Sequence, residues 1–400
     1  MGFGVSKNIE PADNEKYTSF GSIYYFFVFF MFVLAPTSSN GTLPGLDEII
    51  VSWTILCVTI FIGIIKFSNL NLSHFIVFAI TIVYMIIITI ISNRFDPSAQ
   101  FSISRLAPVV CFLGLSMLQV NTTISIRIVK LLVHVFMIIF LVWNLLIIVD
   151  NPSIKEFTIS KYTQLYEEAT SNMFIKNRPV MSFGIYTFAS YFYFLFFFIN
   201  KILFKITNNK IYYVYMILLL IVNIMLVSNT AFVFSIIMSY YVFKSSKSNN
   251  LKILFILLII ATIYKVLLNV ELIEYYFESF NSEANGFRGR YTNSGTLNLN
   301  LKYLEDNFHI GFNIVNNLTY SDSGYLVYYT MGGFLFMGAM YFSLYKFAKN
   351  NFSIDFLYFL FPTILFEFAL PVIIYYKFIY ASIFLAISYK SIMIHSKKNN

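Results

Sequence analysis

Charge is what this sequence has least of. Only 12% of its 400 residues are Asp, Glu, Lys or Arg, against 58% hydrophobic and 20% aromatic. A soluble domain carries about a quarter charged residues, so a water-facing exterior cannot be assembled from this chain. Cysteine is almost absent, and Cys57 and Cys111 both fall inside apolar runs, which argues against a disulfide framework or a zinc site. The four histidines form no pair at metal-ligand spacing, and His74, His134 and His395 lie in or beside apolar runs, where packing is the expected role. There is no Gly-rich phosphate loop ending in Lys-Ser/Thr, no Gly-x-Ser-x-Gly elbow and no His-Glu-x-x-His helix. Nucleotide hydrolysis, serine hydrolase and metalloprotease chemistry therefore lack support. No outer loop holds Asp-x-Asp, so metal-dependent sugar-nucleotide chemistry lacks it too, and neither metal nor cofactor is expected.

What is present is a series of apolar runs, many about 18 residues or longer, enough to cross a hydrocarbon core of about 30 Å at about 1.5 Å per residue. The expectation is an all-α integral membrane protein, one polytopic domain over 1–400, with about twelve spans (10–12). The spans fall near 20–36, 48–66, 74–92, 105–120, 130–149, 180–200, 211–227, 229–243, 251–268, 324–347, 355–370 and 372–390. Two pairs are divided only by Ser228-Asn229-Thr230 and by Pro371, so each pair reads either as two spans or as one bent segment. The first run follows Glu10, Asp13 and Glu15, unlike the basic start of a signal peptide, and reads as a retained span.

The net charge of +8 does not form one basic surface, which argues against nucleic acid. Lysines instead gather at alternate connections: Lys7 and Lys16, Lys66, Lys130 beside Arg127, Lys201 to Lys210, Lys244 to Lys252, Lys346 and Lys349, and Lys390 to Lys398. Such loops are cytoplasmic by the positive-inside rule. Both termini are then cytoplasmic, and the long connections 150–179 and 269–323 are external. Arginine segregates the other way, with Arg94, Arg105, Arg178, Arg288 and Arg290 outside and Arg127 inside. A guanidinium binds phosphate or carboxylate bidentately and keeps its charge. Outer arginines therefore point either to an anionic ligand or to interface anchoring, the latter most of all for Arg94 and Arg105.

Within 269–323, Glu271, Glu274 and Glu278 share one helical face, and Leu297, Leu301, Leu304 and Phe308 form an apolar stripe. Arg288 and Asp322 bracket a re-entrant, helix-rich lid that also holds His309. Inside the last two spans stand Glu367 and Lys377, where an unpaired charge costs several kcal/mol. They read either as an ion pair across the Pro371 turn or as part of a proton pathway.

Three local segments carry a resemblance. Arg178-Pro179-Val180-Met181-Ser182-Phe183-Gly184 opens a span after the first long loop; Arg288-Gly289-Arg290 is followed by Gly311-Phe312-Asn313; Asp322-Ser323-Gly324-Tyr325-Leu326 closes the second loop. In order and placement they resemble the bacterial O-antigen and capsular-polysaccharide repeat-unit polymerases, the Wzy family, which are related to the O-antigen ligases. The chain departs in having Asn313 for the second glycine of the turn and Asp322 where the ligases have histidine; the latter favours polymerase over ligase. The resemblance implies a GT-C-like, metal-independent membrane glycosyltransferase that joins undecaprenyl-pyrophosphate-linked oligosaccharides at the outer face of the bacterial cytoplasmic membrane, for lipopolysaccharide or capsule. Its partners would be that lipid-linked glycan, membrane lipid and a chain-length regulator. Asp322 and Arg290 would be catalytic, with Arg288, Arg178, Arg105, Arg94 and His309 binding pyrophosphate or sugar. A polysaccharide flippase is the other class of reading; the long outer loop disfavours it, as does the lack of an internal repeat.

Overall fold

The structure, a computed structural model, describes residues 19–35, 49–67, 72–95, 103–121, 123–162, 178–245 and 323–399, with scattered residues between 252 and 264. Among these, the fold is all-helical and holds no strand. The helices are α1 (Ser19–Val33), α2 (Ile49–Phe67), α3 (Leu72–Phe95), α4 (Ile103–Ser116), α5 (Ile126–Ile148) and α6 (Pro152–Tyr162). They continue with α7 (Tyr186–Thr207), α8 (Lys210–Ile224), α9 (Asn229–Ser245), α10 (Gly324–Phe352), α11 (Phe356–Phe366) and α12 (Tyr376–Asn399).

Among the described residues three helical stretches, Ile126–Ile148, Tyr186–Thr207 and Tyr376–Ser396, are each long and apolar enough to cross a membrane; α8 and parts of α1, α2, α3 and α4 supply shorter apolar stretches. The described residues thus give fewer spanning helices than the sequence leads one to expect. α11, with 11 residues, rises only about 16 Å, and the main-chain carbonyl of Glu367 at its end accepts from the Gly324 N–H.

α7 and α12 are the central helices, with 83% and 78% of their most apolar stretches buried, whereas α5 at 39% lies at the periphery. Aromatic rings fill the middle: Phe32 stacks on Phe196, Tyr25 on Phe384, and Phe140 meets Tyr193 edge-on. The perimeter exposes Phe61, Ile80, Ile138 and Phe232, each more than 60% accessible. Apolar exposure on this scale fits a lipid-facing belt.

Pairwise contacts fix the chain directions. Tyr25 on α1 hydrogen-bonds Ser388 on α12 at 2.6 Å while Phe27 meets Tyr380, so these helices run antiparallel. α8 and α9 also run antiparallel, since Asn223 donates to Ala231 and Ser235, and Tyr213 to Val242. The break at Ser228-Asn229-Thr230 is therefore a hairpin, not a bend. α11 and α12 form another, tied by Tyr389 to Asp355 at one end and by Phe359 against Phe378 further along. α2 and α4 instead lie parallel: Cys57 touches Cys111, and Gly63 faces Leu118.

At one end of the bundle Asn121 donates to Phe67, Asn351 bonds Val120 and Leu118, and Ile124 donates to Ser391. Lys66, Arg127, Lys349 and Lys390 are sequence neighbours of these residues, so the lysine-bearing connections share this end. The chain therefore enters α1 and leaves α12 at the same end.

The expected span 324–347 is not one straight helix. Gly332 (φ −164°, ψ 23°) and Gly333 (φ 68°, ψ −166°) break α10, and the second of these conformations is open almost only to glycine. On a straight helix Tyr325 and Tyr341 would stand about 24 Å apart. Their rings instead stack with centroids 4.9 Å apart, and Tyr328 also meets Tyr341 at 5.9 Å. Residues 324–331 thus fold back along the first half of 334–352. The carbonyl of Gly332, freed by the break, accepts a hydrogen bond from Tyr84 at 2.9 Å, which is what a backbone interruption away from water requires.

Candidate functional site: a layer of re-entrant segments

Opposite the lysine-bearing end, several helices stop and three irregular segments meet. The first follows α5. The turn at Asp150 and Asn151, with Asp150 at φ 62° and ion-paired to Lys155, sends α6 back against α5, where Trp143 donates to Thr158 at 3.0 Å and packs on Tyr162. Tyr162 then donates to the Leu34 carbonyl at the end of α1, at 2.7 Å.

Arg178 to Gly184 is the second segment, and all seven of its residues are buried. Its path needs positive φ at Met181 (49°) and Gly184 (72°), and a Cβ at Gly184 would strike the Tyr162 carbonyl oxygen. Buried carbonyls need donors, and this turn has them. Tyr193 donates to Pro179 at 2.5 Å and Lys377 to Ser182 at 2.7 Å, while the Ser182 hydroxyl donates to Val33. Arg178, 2% exposed, lies over the Tyr186 ring with its guanidinium carbon 4.4 Å from the centroid, a cation–π contact.

The third segment is the re-entrant helix 324–331 together with the turn between α11 and α12. Glu367, fully buried, closes α11; its Oε1 accepts from the Ile373 N–H at 2.9 Å and its Oε2 lies 3.5 Å from the Tyr341 hydroxyl. The main-chain carbonyl of Glu367 accepts from the Gly324 N–H at 2.8 Å. Tyr325 donates to Ile364 at 2.9 Å and packs on Phe368. Aromatic contacts join this segment to the second: Phe188, four residues beyond Gly184, stacks on Tyr375 at 4.1 Å, and Tyr191 hydrogen-bonds Thr363 at 2.7 Å.

Glu367 and Lys377 do not form the ion pair that the sequence allows. Among the described residues the one ion pair is Lys155 with Asp150. Lys377, fully buried, has its own partners: the Ser182 carbonyl and the rings of Tyr162 and Phe183 at 5.0 and 5.2 Å. The two charges lie on opposite flanks of the 367–375 turn, the cation against the Arg178 segment and the carboxylate against the re-entrant helix.

Of the residues singled out from sequence, Arg178 belongs to this layer. Arg94 and Arg105 sit in α3 and α4, their side chains outside the described residues, and Arg288, Arg290, His309 and Asp322 lie outside them altogether. His134 packs, as expected, hydrogen-bonded to Tyr215 at 2.9 Å and stacked on Tyr212. Sequence reasoning missed Tyr162, Ser182, Tyr341 and the fold of α10. The Gly332-Gly333 pair was the available signal for the last, since adjacent glycines in an apolar run mark a break. No family model, no curated protein and no solved structure matches this chain.

Proposed function

We propose that this protein is a metal-independent membrane glycosyltransferase that polymerises undecaprenyl-pyrophosphate-linked oligosaccharide repeat units into O-antigen or capsular polysaccharide. The observation that carries the reading is a convergence. The segment opening at Arg178 and the segment that begins at Ser323, directly after Asp322, are the two described stretches of the family resemblance; Lys377 holds the Ser182 carbonyl of the first, the Glu367 carbonyl accepts from Gly324 of the second, and these two residues flank the connection between α11 and α12. A basic flank holding Arg178 and Lys377 and an acidic flank holding Glu367 suit a reaction that needs a cation for a leaving pyrophosphate and a carboxylate near the incoming hydroxyl.

In this reading the chain has about twelve spans in a GT-C-like arrangement in the bacterial cytoplasmic membrane, with both termini cytoplasmic and the loops 150–179 and 269–323 external. The acceptor sugar hydroxyl attacks the donor's anomeric carbon; the bond from that carbon to the pyrophosphate oxygen breaks and its electron pair leaves with the pyrophosphate. Asp322 takes the hydroxyl proton, Arg290 and Arg288 neutralise the leaving group, and Arg178 assists. Arg94, Arg105 and His309 are outlying contacts to pyrophosphate or sugar. A chain-length regulator would bind the external loops.

Deletion of the gene is the direct test in cells. Glycan capped at a single repeat unit, still exported and attached, is the expected result. An unchanged ladder of polymer lengths contradicts the proposal; full-length polymer left on its lipid carrier identifies a ligase, and repeat units trapped on the cytoplasmic leaflet identify a flippase.

A further inference from the structure

At the lysine-bearing end of the bundle, Lys201 near the end of α7 has unusual surroundings. Its ammonium is half-buried between two aromatic faces, 3.2 Å from the ring centre of Tyr358 on α11 and 3.9 Å from that of Tyr241 on α9. Ring faces offset part of a charge but offer no lone pair to the three N–H donors of an ammonium. Among the described residues Lys201 donates no hydrogen bond and forms no ion pair. Asp355, a carboxylate within electrostatic range, already accepts from the Tyr389 hydroxyl at 3.0 Å. Lys205 and Lys244 lie within the same range. Both are exposed, the first one turn along α7 and the second in the last turn of α9. Three ammonium groups are thus set against one carboxylate that is itself engaged.

The flank of this cluster is apolar and elongated. α9 and α11 lie side by side on α7: Tyr241 meets Tyr358 at one end of their seam and Phe234 meets Phe366 further along, with Phe194 and Phe198 of α7 behind them. Phe232, Ile236 and Tyr240 of α9 and Leu357 and Phe361 of α11 are exposed, at the four-residue spacing that puts each row on one helix face. The row from Phe232 to Tyr240 covers about 12 Å along the helix axis, most of one leaflet's share of a hydrocarbon core of about 30 Å.

We propose that this cluster is a binding site for an anionic phospholipid of the leaflet at the lysine-bearing end: the lipid phosphate accepts from Lys201, Lys205 and Lys244 flank it, and the acyl chains lie along the seam between α9 and α11. A basic pocket between spanning helices suits such a headgroup. A zwitterionic lipid has the same phosphate but brings its own cation, so the site prefers a lipid of net negative charge. This end of the bundle is opposite the re-entrant layer, and the site does not depend on the reaction proposed there.

The test uses purified, delipidated full-length protein in neutral detergent, with binding of the first lipid measured by native mass spectrometry. Dioleoyl phosphatidylglycerol is expected to bind about fivefold more tightly than dioleoyl phosphatidylcholine, and Lys201→Gln to lose about that factor, the effect of one lysine near an anionic headgroup. Lys201→Arg keeps the charge and the ring contacts and should retain the affinity. Lys349→Gln removes the same charge at the same end of the bundle and should leave it unchanged. Should Lys201→Gln not accumulate, Lys244→Gln, at an exposed position, carries the comparison, and unchanged affinity there overturns the cluster. Equal affinity for the two lipids overturns the preference for net charge. Equal losses in Lys201→Gln and Lys349→Gln show only a general attraction of lysines for anionic lipid and overturn the site. Displacement of phosphatidylglycerol by excess inorganic phosphate assigns the cluster to a soluble anion and overturns the lipid as its occupant.

Discussion

Lys377 is held by a carbonyl and two aromatic faces, with no carboxylate within ion-pair distance among the described residues. That arrangement lets the ammonium serve as a fastener for the Arg178 turn. Lys377→Met keeps the length and apolar stem of the side chain but leaves the Ser182 carbonyl without its donor, a loss of about 1–2 kcal/mol. Lys377→Glu sets a buried negative charge against that same oxygen and should destabilise by about 3–5 kcal/mol. Thermal unfolding of detergent-solubilised protein, followed by size-exclusion recovery, should rank wild type above Met and Met well above Glu; a glutamate variant as stable as the methionine one would show that the Ser182 contact does not exist. At this scale the sequence disclosed more than it explained. Glu367 and Lys377 stand out as ionisable residues in apolar runs, and their spacing around Pro371 left open an ion pair or a proton pathway. The actual partner of Lys377 is a carbonyl 195 positions away, and those of the Glu367 carboxylate are the Ile373 N–H within the following turn and the Tyr341 hydroxyl on the broken helix α10; no local pattern encodes the Ser182 and Tyr341 contacts.

Helix directions were legible where punctuation was strong. Ser228-Asn229-Thr230 marks the α8–α9 hairpin because Ser228 caps the new helix, its hydroxyl accepting from Ala231 N–H at 3.1 Å. The doubling back of α10 was not read, because hydropathy sees one apolar run through Gly332 and Gly333. What permits the break is the Tyr84 hydroxyl, 248 residues distant, covering the freed carbonyl. Parallel packing of α2 on α4 was likewise invisible. The chain's two cysteines meet there with sulfurs 3.2 Å apart, although their apolar settings gave no hint of it. Mild oxidation with copper phenanthroline should therefore join them within one molecule. Maleimide-polyethylene-glycol counting after denaturation should find two reactive thiols before treatment and none after. Two thiols persisting after oxidation, or a dimer on non-reducing gels, would contradict the α2–α4 contact.

At the scale of the molecule, the shortage of charge pointed to a membrane, because so few charges cannot cover a soluble surface, and the length of the apolar runs pointed to helices. Among the described residues three helices are long and apolar enough to cross a membrane, fewer than the runs of the sequence suggest. Hydropathy measures what lipid tolerates, whereas α11 and the half-helix 324–331 terminate on protein. The function proposed for the layer of re-entrant segments is the building of polymer from lipid-linked oligosaccharide. Purified protein in lipid nanodiscs, supplied with the undecaprenyl-pyrophosphate-linked repeat unit extracted from a strain lacking this gene, tests it most directly. The products to be measured are the glycan lengths and the released undecaprenyl pyrophosphate, with a chelator present. The account predicts a ladder of lengths, one released carrier for each linkage formed, and loss of both in Arg290→Lys and Asp322→Asn at normal protein level. Substrate that stays at a single repeat unit with no carrier released, in preparations whose fold is intact, would contradict it.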